Sequence, residues 1–364
     1  MDKQTLYDRF QRQIILPNLD ELAQQKLLDA KVLVIGAGGL ACPCLEYLVR
    51  AGVGNIGIVD GDYVTISNLQ RQTLYNNNDI GKLKVDCAKE RLLNIHPHTN
   101  ITSYPFFLDR KNCLAIIQQY DIIIDCTDLF SVRYCINDAC VLLEKALVFG
   151  AVFQYEGQVA VFNIGEKNEQ RNLRDIFPTI PNQEAHTTCN EAGILGAVVG
   201  IIGTMQALET IKLITNMQGV LANQLLTYHF LHHNIFTVSI PKNNTYTLPM
   251  NEQEFLRVGE NTSCNNQIQQ ELNQAQFLEK IKAGNTQVID VRQLHEMPII
   301  PELNALRIPI DTLAERIHEI DSSKDILLFC HAGIRSLMAL EYLSEECGMQ
   351  KVFHLKGGLL QWKN

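Results

Sequence analysis

The chain has 364 residues, 46% of them apolar and 20% charged, with 31 Lys and Arg against 40 Asp and Glu for a formal net charge of −9. That balance and the lack of any basic run argue against nucleic acid as a main partner, while the length allows two domains with a core in each. The N-terminal MDKQTLYDRF has no apolar segment that would read as a signal, and eleven scattered cysteines without a disulfide-like framework suit a reducing, cytoplasmic setting.

Residues 7–13 are polar and basic, and Leu19 to Leu28 follows as a short amphipathic helix. KVLVI, Lys31–Ile35, reads as a buried strand. It turns on Gly36, Gly38 and Gly39 into the apolar stretch CLEYLVRAGV. Strand, glycine turn and helix place free backbone N–H groups and the positive end of a helix dipole at one spot, which suits phosphate. A second strand ends on Asp60, where a carboxylate could accept from ribose hydroxyls. The polar stretch YVTISNLQRQTLY and a helical GKLKVDCAKERLLNI come next, then strands at Ile101–Phe107 and Asp121–Asp125. This alternation predicts an α/β fold, a Rossmann-like doubly wound and mostly parallel sheet. Two strands meeting at Glu156-Gly157 would extend it antiparallel. Residues 165–190 read as a long loop, followed by a buried helix from about Ala192 to Thr215 and the strands LLTYHFL and NIFTVSI. The most apolar stretch, AGILGAVVGIIGTM, falls short of a membrane span, so no membrane partner is expected.

Domain boundaries are expected at 1–245, with a linker at 246–268 whose LPMNEQEFL could dock on either neighbour, and a small α/β domain at 269–364. In the last domain a helix at Phe277–Lys282, the strand QVIDV, a helix at Leu313–Ile320 and the strand DILLFC lead to the loop CHAGIRS. A helix, the strand KVFHL and KGGLLQW complete it.

A glycine turn alone is weak evidence, and a nicotinamide oxidoreductase or a turn without ligand stays open on it. Asp62, Asn68, Arg71 and Gln72 just after Asp60, with Lys84 at a helix start, instead suit displacement at phosphorus, where charge builds on the transferring oxygens. Asp128, after DIIIDCT, is placed to hold Mg²⁺ on phosphates. RFQRQIILP, GAGGLA, AGVGNIGIVDGDYVTISNLQRQ, DIGKLKV, DCTD, GAVFQYEGQVAVF and CNEAGILG together resemble the ubiquitin-activating-like adenylyltransferases, the MoeB/ThiF family, from about Arg9 to Ile240. The resemblance implies adenylation, at the expense of ATP, of the C-terminal glycine of a ubiquitin-like carrier protein. It implies that Gly36, Gly38 and Gly39 cradle phosphates and that Asp60 holds the ribose. Asn68, Arg71 and Lys84 would contact the triphosphate, with Asp128 serving Mg²⁺. Arg12 matches an arginine that family members insert into the neighbouring subunit's ATP site, which implies a homodimer.

The family usually carries two C-x-x-C pairs that bind structural zinc. Here Asn172 and Asp175 hold the first pair's positions and the second region reads PKNNTYTL, so no zinc site is expected. Leu129 replaces a polar residue after Asp128. Cys189 in TTCNEAG matches a cysteine that many members bond covalently to the activated carrier, and a helix start would favour its thiolate.

In CHAGIRS, successive loop N–H groups would nest the Cys330 sulfur ahead of Arg335. The loop resembles the rhodanese active site, and VIDVR with LKGGLLQW match that family's flanking motifs. The fusion pairs an electrophile, the acyl adenylate, with a nucleophile, a persulfide on Cys330. The expectation is therefore an adenylyltransferase and sulfurtransferase. It would make a thiocarboxylate on a sulfur carrier with a Gly-Gly tail, in a molybdopterin- or thiamine-type pathway, with a donor such as a cysteine desulfurase loading Cys330. Adenylation of another peptide or of an RNA-modification substrate, and a non-catalytic carrier-binding scaffold, stay as alternatives.

Overall fold

The computed structural model describes residues 3–178, 193–243, 245–257, 270–294, 296–330, 333–349 and 351–362. The chain divides into two compact units, the first reaching Leu256 and the second running from Arg257 to Asn364.

The first unit opens with α1 (Lys3–Ile14) and α2 (Glu21–Asp29), the latter capped by the Asp20 carboxylate on the Ala23 N–H. It then alternates β1 (Lys31–Ile35), α3 (Ala41–Ala51), β2 (Asn55–Val59), α4 (Lys84–Ile95), β3 (Asn100–Tyr104), α5 (Arg110–Ile117), β4 (Ile122–Asp125), α6 (Phe130–Leu142) and β5 (Ala146–Phe153). β6 (Glu156–Phe162), α7 (Leu173–Ile176), α8 (Gly196–Thr215), β7 (Gln224–His229), β8 (Asn234–Ser239) and α9 (Glu252–Arg257) follow. The strands form one eight-stranded sheet in the order β3-β2-β1-β4-β5-β6-β7-β8. It is parallel from β3 through β5 and antiparallel from there on. The fold is thus doubly wound and mostly parallel with an antiparallel extension.

Why both faces are covered is written in β1. Val32 and Val34 join the core that holds Leu45, Leu48, Val85 and Ile202, whereas Leu33 and Ile35 join the core with Ile116, Ile117 and Ile136. Side chains alternate across a strand, so a run apolar at every position needs helices on both sides. β2 lies on one side of β1 and β4 on the other. The carboxyl ends of β1 and β4 therefore flank the point where strand order reverses, the place where such sheets bind ligands.

Several elements depart from expectation. The β5–β6 turn falls at Gln154 and Tyr155, before Glu156, because Gln154 takes the positive φ of 51° that the reversal needs. α8 begins at Gly196, and Ala192 lies outside the described residues. Part of the expected linker belongs to the first unit. Tyr246 bonds to it, and Phe255 is fully buried in its core with Arg110 Nη1 donating to the Phe255 carbonyl at 2.9 Å.

Asn172 caps α7 and Asp175 lies within it, at the positions of the expected family's first cysteine pair. Asp175 Oδ1 accepts from Asn243 N at 2.8 Å and from Tyr246 Oη at 3.0 Å. Its Oδ2 accepts from Asn172 N at 2.9 Å, and Asn172 Nδ2 reaches Tyr246 Oη at 2.7 Å. PKNNTYTL is thus fastened to RNLRDIF by a hydrogen-bonded clasp. These groups do not fit zinc, since they supply no thiolate or imidazole and the one carboxylate is already occupied. Among the described residues no group of three or more His, Cys, Asp and Glu could hold a metal ion.

The second unit holds β9 (Glu271–Leu272), α10 (Gln274–Ala283), β10 (Thr286–Asp290), β11 (Leu306–Arg307), β12 (Asp325–Phe329), α11 (Ile334–Glu341) and β13 (Val352–Leu355). Its sheet is parallel in the order β11-β10-β12-β13-β9. The helix expected over Leu313–Ile320 is instead two short 3₁₀ turns, Ile310–Thr312 and Ile317–Glu319. Thr312 N and Glu319 N bond three residues back, to Pro309 O and Arg316 O, and Arg316 spends Nη1 on the Arg307 carbonyl, 3.0 Å away. Eight residues cannot outweigh such local bonds, because nucleating a helix is costly.

Candidate functional site

The glycine turn leaves β1 with Gly36 at φ 95°, its N–H donating to Val59 O at 2.8 Å. A Cβ on Gly36 would stand 2.8 Å from the Cys126 carbonyl, so the turn and the loop after β4 touch through backbone. A Cβ on Gly39 would meet Val199 of α8 at 2.7 Å, while one on Gly38 would find only Gln72 Nε2 at 3.8 Å. Gly36 and Gly39 are closed by packing, and Gly38 is the open face. α3 then starts with no side-chain cap. Cys42 N donates back to Gly38 O at 3.1 Å and Pro43 has no N–H, so the groups that can face an anion are the backbone N–H groups of the turn ahead of Cys42.

Asp60 accepts the Ala37 N–H on Oδ2 and the Asp62 N–H on Oδ1, both at 2.7 Å, and so ties the end of β2 to the turn. Burial pushes its carboxyl pKa up, against the opposing pull of the Lys84 charge and these two N–H groups. Each oxygen keeps a lone pair for a ribose hydroxyl. Lys84, the first residue of α4, is buried with Nζ 2.9 Å from Asp62 Oδ2, whose side chain is exposed. Gln72 is buried with Oε1 unpartnered among the described residues, under Gly38. Arg71 packs along Gly39 and donates Nη1 to Ser67 O at 3.0 Å. Asn68 closes its own turn through Oδ1, which accepts from Thr65 N at 3.2 Å, and among the described residues its Nδ2 donors have no partner that would keep them from a phosphate.

Asp125, at the end of β4, is consumed by structure. Thr127 N and Oγ1 both donate to Oδ1, at 2.9 and 2.7 Å, and Arg133 Nε lies 3.9 Å from Oδ2. Burial raises its pKa. The exposed Asp128 is the carboxylate on this loop left free for a cation, which fits Mg²⁺ carried in on a nucleotide. Arg12 does not join this site. α1 docks at the far ends of α3 and α4, where Phe10 packs on Gly52 and Arg9 Nη2 donates to Ile95 O at 2.7 Å. Arg12 stands exposed there, with no hydrogen bond or ion pair among the described residues. Those helices start at the site and run about 16–18 Å away from it at 1.5 Å per residue. Cys189 lies outside the described residues.

Three supports of this site carry no local signal in the sequence. Tyr75 Oη donates to Ala37 O at 2.7 Å, Gln206 Nε2 to Asp125 O at 2.8 Å, and Arg133 Nη2 to Gly150 O at 3.2 Å.

In the second unit Cys330 directly follows β12 and is 1% exposed. Its Sγ accepts from Gly333 N at 3.1 Å and Ser336 N at 3.4 Å, with Ser336 Oγ at 3.6 Å. Gly333 has φ 87°, and a Cβ there would lie 2.8 Å from Gly357 N, so both this glycine and the KGG turn are needed to close the loop. Arg335 is gripped by Glu296, Nη1 to Oε1 at 2.5 Å and Nη2 to Oε2 at 2.9 Å. That pair, helped by the Gln293 N–H, holds the Glu296 carboxyl down to about 2. Ser336 was within reach of the CHAGIRS motif; Glu296 had no sequence signal.

The ThiF family model matches residues 10–248 and that of the rhodanese-like domain matches residues 273–364. The chain belongs to the ThiF family. It is 36% identical over 376 residues to a probable molybdopterin-synthase adenylyltransferase of Porphyra purpurea, covering 98% of this chain and 93% of that one. Over 377 residues it is 34% identical to the adenylyltransferase and sulfurtransferase MOCS3 of Drosophila grimshawi, with 98% and 84% covered. The adenylyltransferase and sulfurtransferase UBA4 of Candida glabrata is 34% identical over 391 residues, with 98% and 89% covered. Among solved structures, MccB of E. coli with ATP shares the fold at a TM-score of 0.55 and 21% identity, over 62% of this chain and 68% of that one.

Proposed function

We propose that this chain adenylates the C-terminal glycine of a ubiquitin-like sulfur-carrier protein and then sulfurates it to a thiocarboxylate. The carrier carboxylate attacks the α-phosphorus of ATP and pyrophosphate leaves. Gly38 and the backbone N–H groups of the turn that leads into α3, with Arg71 and Lys84, are the groups available for the charge on the transferring oxygens. Asp60 takes the ribose, Gln72 offers its unpartnered oxygen beneath the turn, and Asp128 holds Mg²⁺ with the phosphates. The terminal sulfur of a persulfide on Cys330 then attacks the acyl carbon and AMP leaves, giving an acyl disulfide. Cys189 cleaves that S–S bond, releasing the thiocarboxylate and leaving a Cys189–Cys330 disulfide for cellular thiols to reduce. A cysteine desulfurase is the proposed source of sulfur on Cys330, and the setting is cytoplasmic.

We further propose a homodimer in which Arg12 serves the partner's nucleotide. Its place at the far end of α3 and α4 from its own site supports this. So does an apolar face of α8, where Ala197, Ile201 and Leu208 are exposed at helical spacing, with Pro43 and Glu46 of α3 lining the same groove as Ala197 and Ile201. The clasp of Asn172, Asp175, Asn243 and Tyr246 stands in for zinc.

The observation that carries the reading is one chain holding both a nucleotide-shaped turn with a buried cation and a thiol whose sulfur accepts two backbone N–H groups. Mass spectrometry of candidate Gly-Gly carriers after incubation with ATP, Mg²⁺ and a sulfur source tests it. One sulfur gained in place of oxygen is expected; ATP consumed with every carrier unchanged would overturn it. Cys330→Ala should abolish the sulfur gain and leave adenylation intact.

A further inference from the structure

The cation of the sulfur-transfer loop is already spoken for. Both terminal nitrogens of Arg335 are donated to the Glu296 carboxylate. Glu296 does not drift there by chance, since its own loop is pinned. Arg307 Nη2 donates to Gln293 O at 2.7 Å and to Glu296 O at 3.2 Å, and Arg307 Nη1 to Leu294 O at 2.9 Å. Gln293 N donates to Glu296 Oε1 at 2.8 Å. The carboxylate is therefore set in place, mostly shielded from solvent at 24% exposure, with Arg335 at 18%. A fork-to-fork pair of this kind cancels the guanidinium charge and uses the donors that a small oxyanion would need.

Among the described residues of the loop, what remains for the reaction is the Cys330 sulfur with the Gly333 and Ser336 N–H groups. Those groups stabilise a thiolate but add no net charge to attract a dianion. We propose that Glu296 sets the sulfur-donor class of Cys330, by neutralising Arg335 so that small dianionic donors are disfavoured and a cysteine-borne persulfide is accepted. In that step the Cys330 thiolate attacks the terminal sulfur of the donor persulfide. The donor's S–S bond breaks, its cysteine leaves as a thiolate, and the persulfide appears on Cys330 with charge conserved. With thiosulfate the leaving group is sulfite, and the incoming dianion faces Glu296 without a free guanidinium. This proposal rests on the reading of Cys330 as a persulfide carrier.

The test uses the full chain, thiosulfate as the small donor, a persulfidated cysteine peptide of no net charge as the other, and cyanide as acceptor. Glu296→Gln is expected to lower KM for thiosulfate about tenfold, as removal of one nearby charge should. Its kcat with thiosulfate and its KM for the peptide should stay within about twofold. Glu296→Asp, which keeps the charge, should resemble the unaltered chain. The unaltered chain should also show a KM for thiosulfate that does not rise with salt, a readout that no variant's folding can disturb. An unchanged or higher KM in Glu296→Gln, or a steep rise of KM with salt in the unaltered chain, overturns the proposal alone. No turnover with either donor, or turnover that survives Cys330→Ala, overturns the persulfide reading and this proposal with it.

Discussion

Lys84 sits where two physical effects oppose a cation, because burial strips its hydration and the N-terminus of α4 repels positive charge. Asp62, its charged hydrogen-bond partner among the described residues, is 54% exposed on its side chain, so the pair stabilises the fold little. Lys84→Met should accordingly leave unfolding free energy within about 1 kcal/mol of the unaltered chain. It should cut ATP–pyrophosphate exchange about a hundredfold or more, as loss of a charge stabilising the transition state does. Exchange that survives in Lys84→Met would make the residue a structural ion pair and nothing more. At Glu296 the effect on stability runs through pH. Its folded pKa of about 2 lies below the ordinary glutamate value of 4.5 expected when unfolded. The stabilisation is therefore fully present above about pH 4.5 and is lost as pH falls toward 2. Urea melts of the unaltered chain and Glu296→Gln should differ most near neutral pH and draw together below pH 4.5. A gap that stays constant on acidification would show that the Arg335 pair contributes nothing.

At the scale of elements, the clasp between α7 and residues 243–246 makes the clearest demand. Tyr246 Oη serves both Asn172 Nδ2 and Asp175 Oδ1, and these partners are buried. Tyr246→Phe should cost about 1–3 kcal/mol, the usual penalty for orphaning buried polar groups, read from denaturant unfolding. EDTA should leave the melting temperature unchanged; a fall in Tm on chelation, or one zinc per chain by elemental analysis, would sink the metal-free clasp. The glycine turn, the parallel order around β1 and the Cys330 loop were legible in the sequence because each is local. Apolar run, glycine and helix follow one another within a dozen residues, and the sulfur's donors come from the residues just after it. What was not legible comes from afar. Gln206 reaches Asp125 across 81 positions, Tyr75 reaches Ala37 across 38, and Glu296 meets Arg335 across 39. Such partners are chosen by the folded surface, and no period or motif marks them. Residues 313–320 misled for the opposite reason. Their apolar spacing is helical, but Pro309, Thr312 and Arg316 offered bonds three residues back or to β11 instead.

For the whole molecule, the decisive question is whether the nucleotide site is complete within one chain. Arg12 and Lys84 lie at opposite ends of the same helix layer, since α1 docks where α4 ends and Lys84 stands where α4 begins. If Arg12 acts on phosphate at all, it acts on a site other than its own. In a closed two-fold dimer each chain would lend its Arg12 to the other, so Arg12→Ala and Lys84→Met chains should each be inactive alone. Mixed at equal amounts with subunits allowed to exchange, half of the dimers combine one chain of each kind. In such a dimer the Arg12→Ala chain keeps its own Lys84 and receives an intact Arg12. The other site lacks both groups. About a quarter of all sites should therefore recover ATP–pyrophosphate exchange, as random pairing in a symmetric dimer requires. Were Arg12 to act within its own chain, neither site of the mixed dimer would be whole and no activity would return. A sedimentation measurement showing a monomer at the assay concentration, with full activity, would sink the shared site directly.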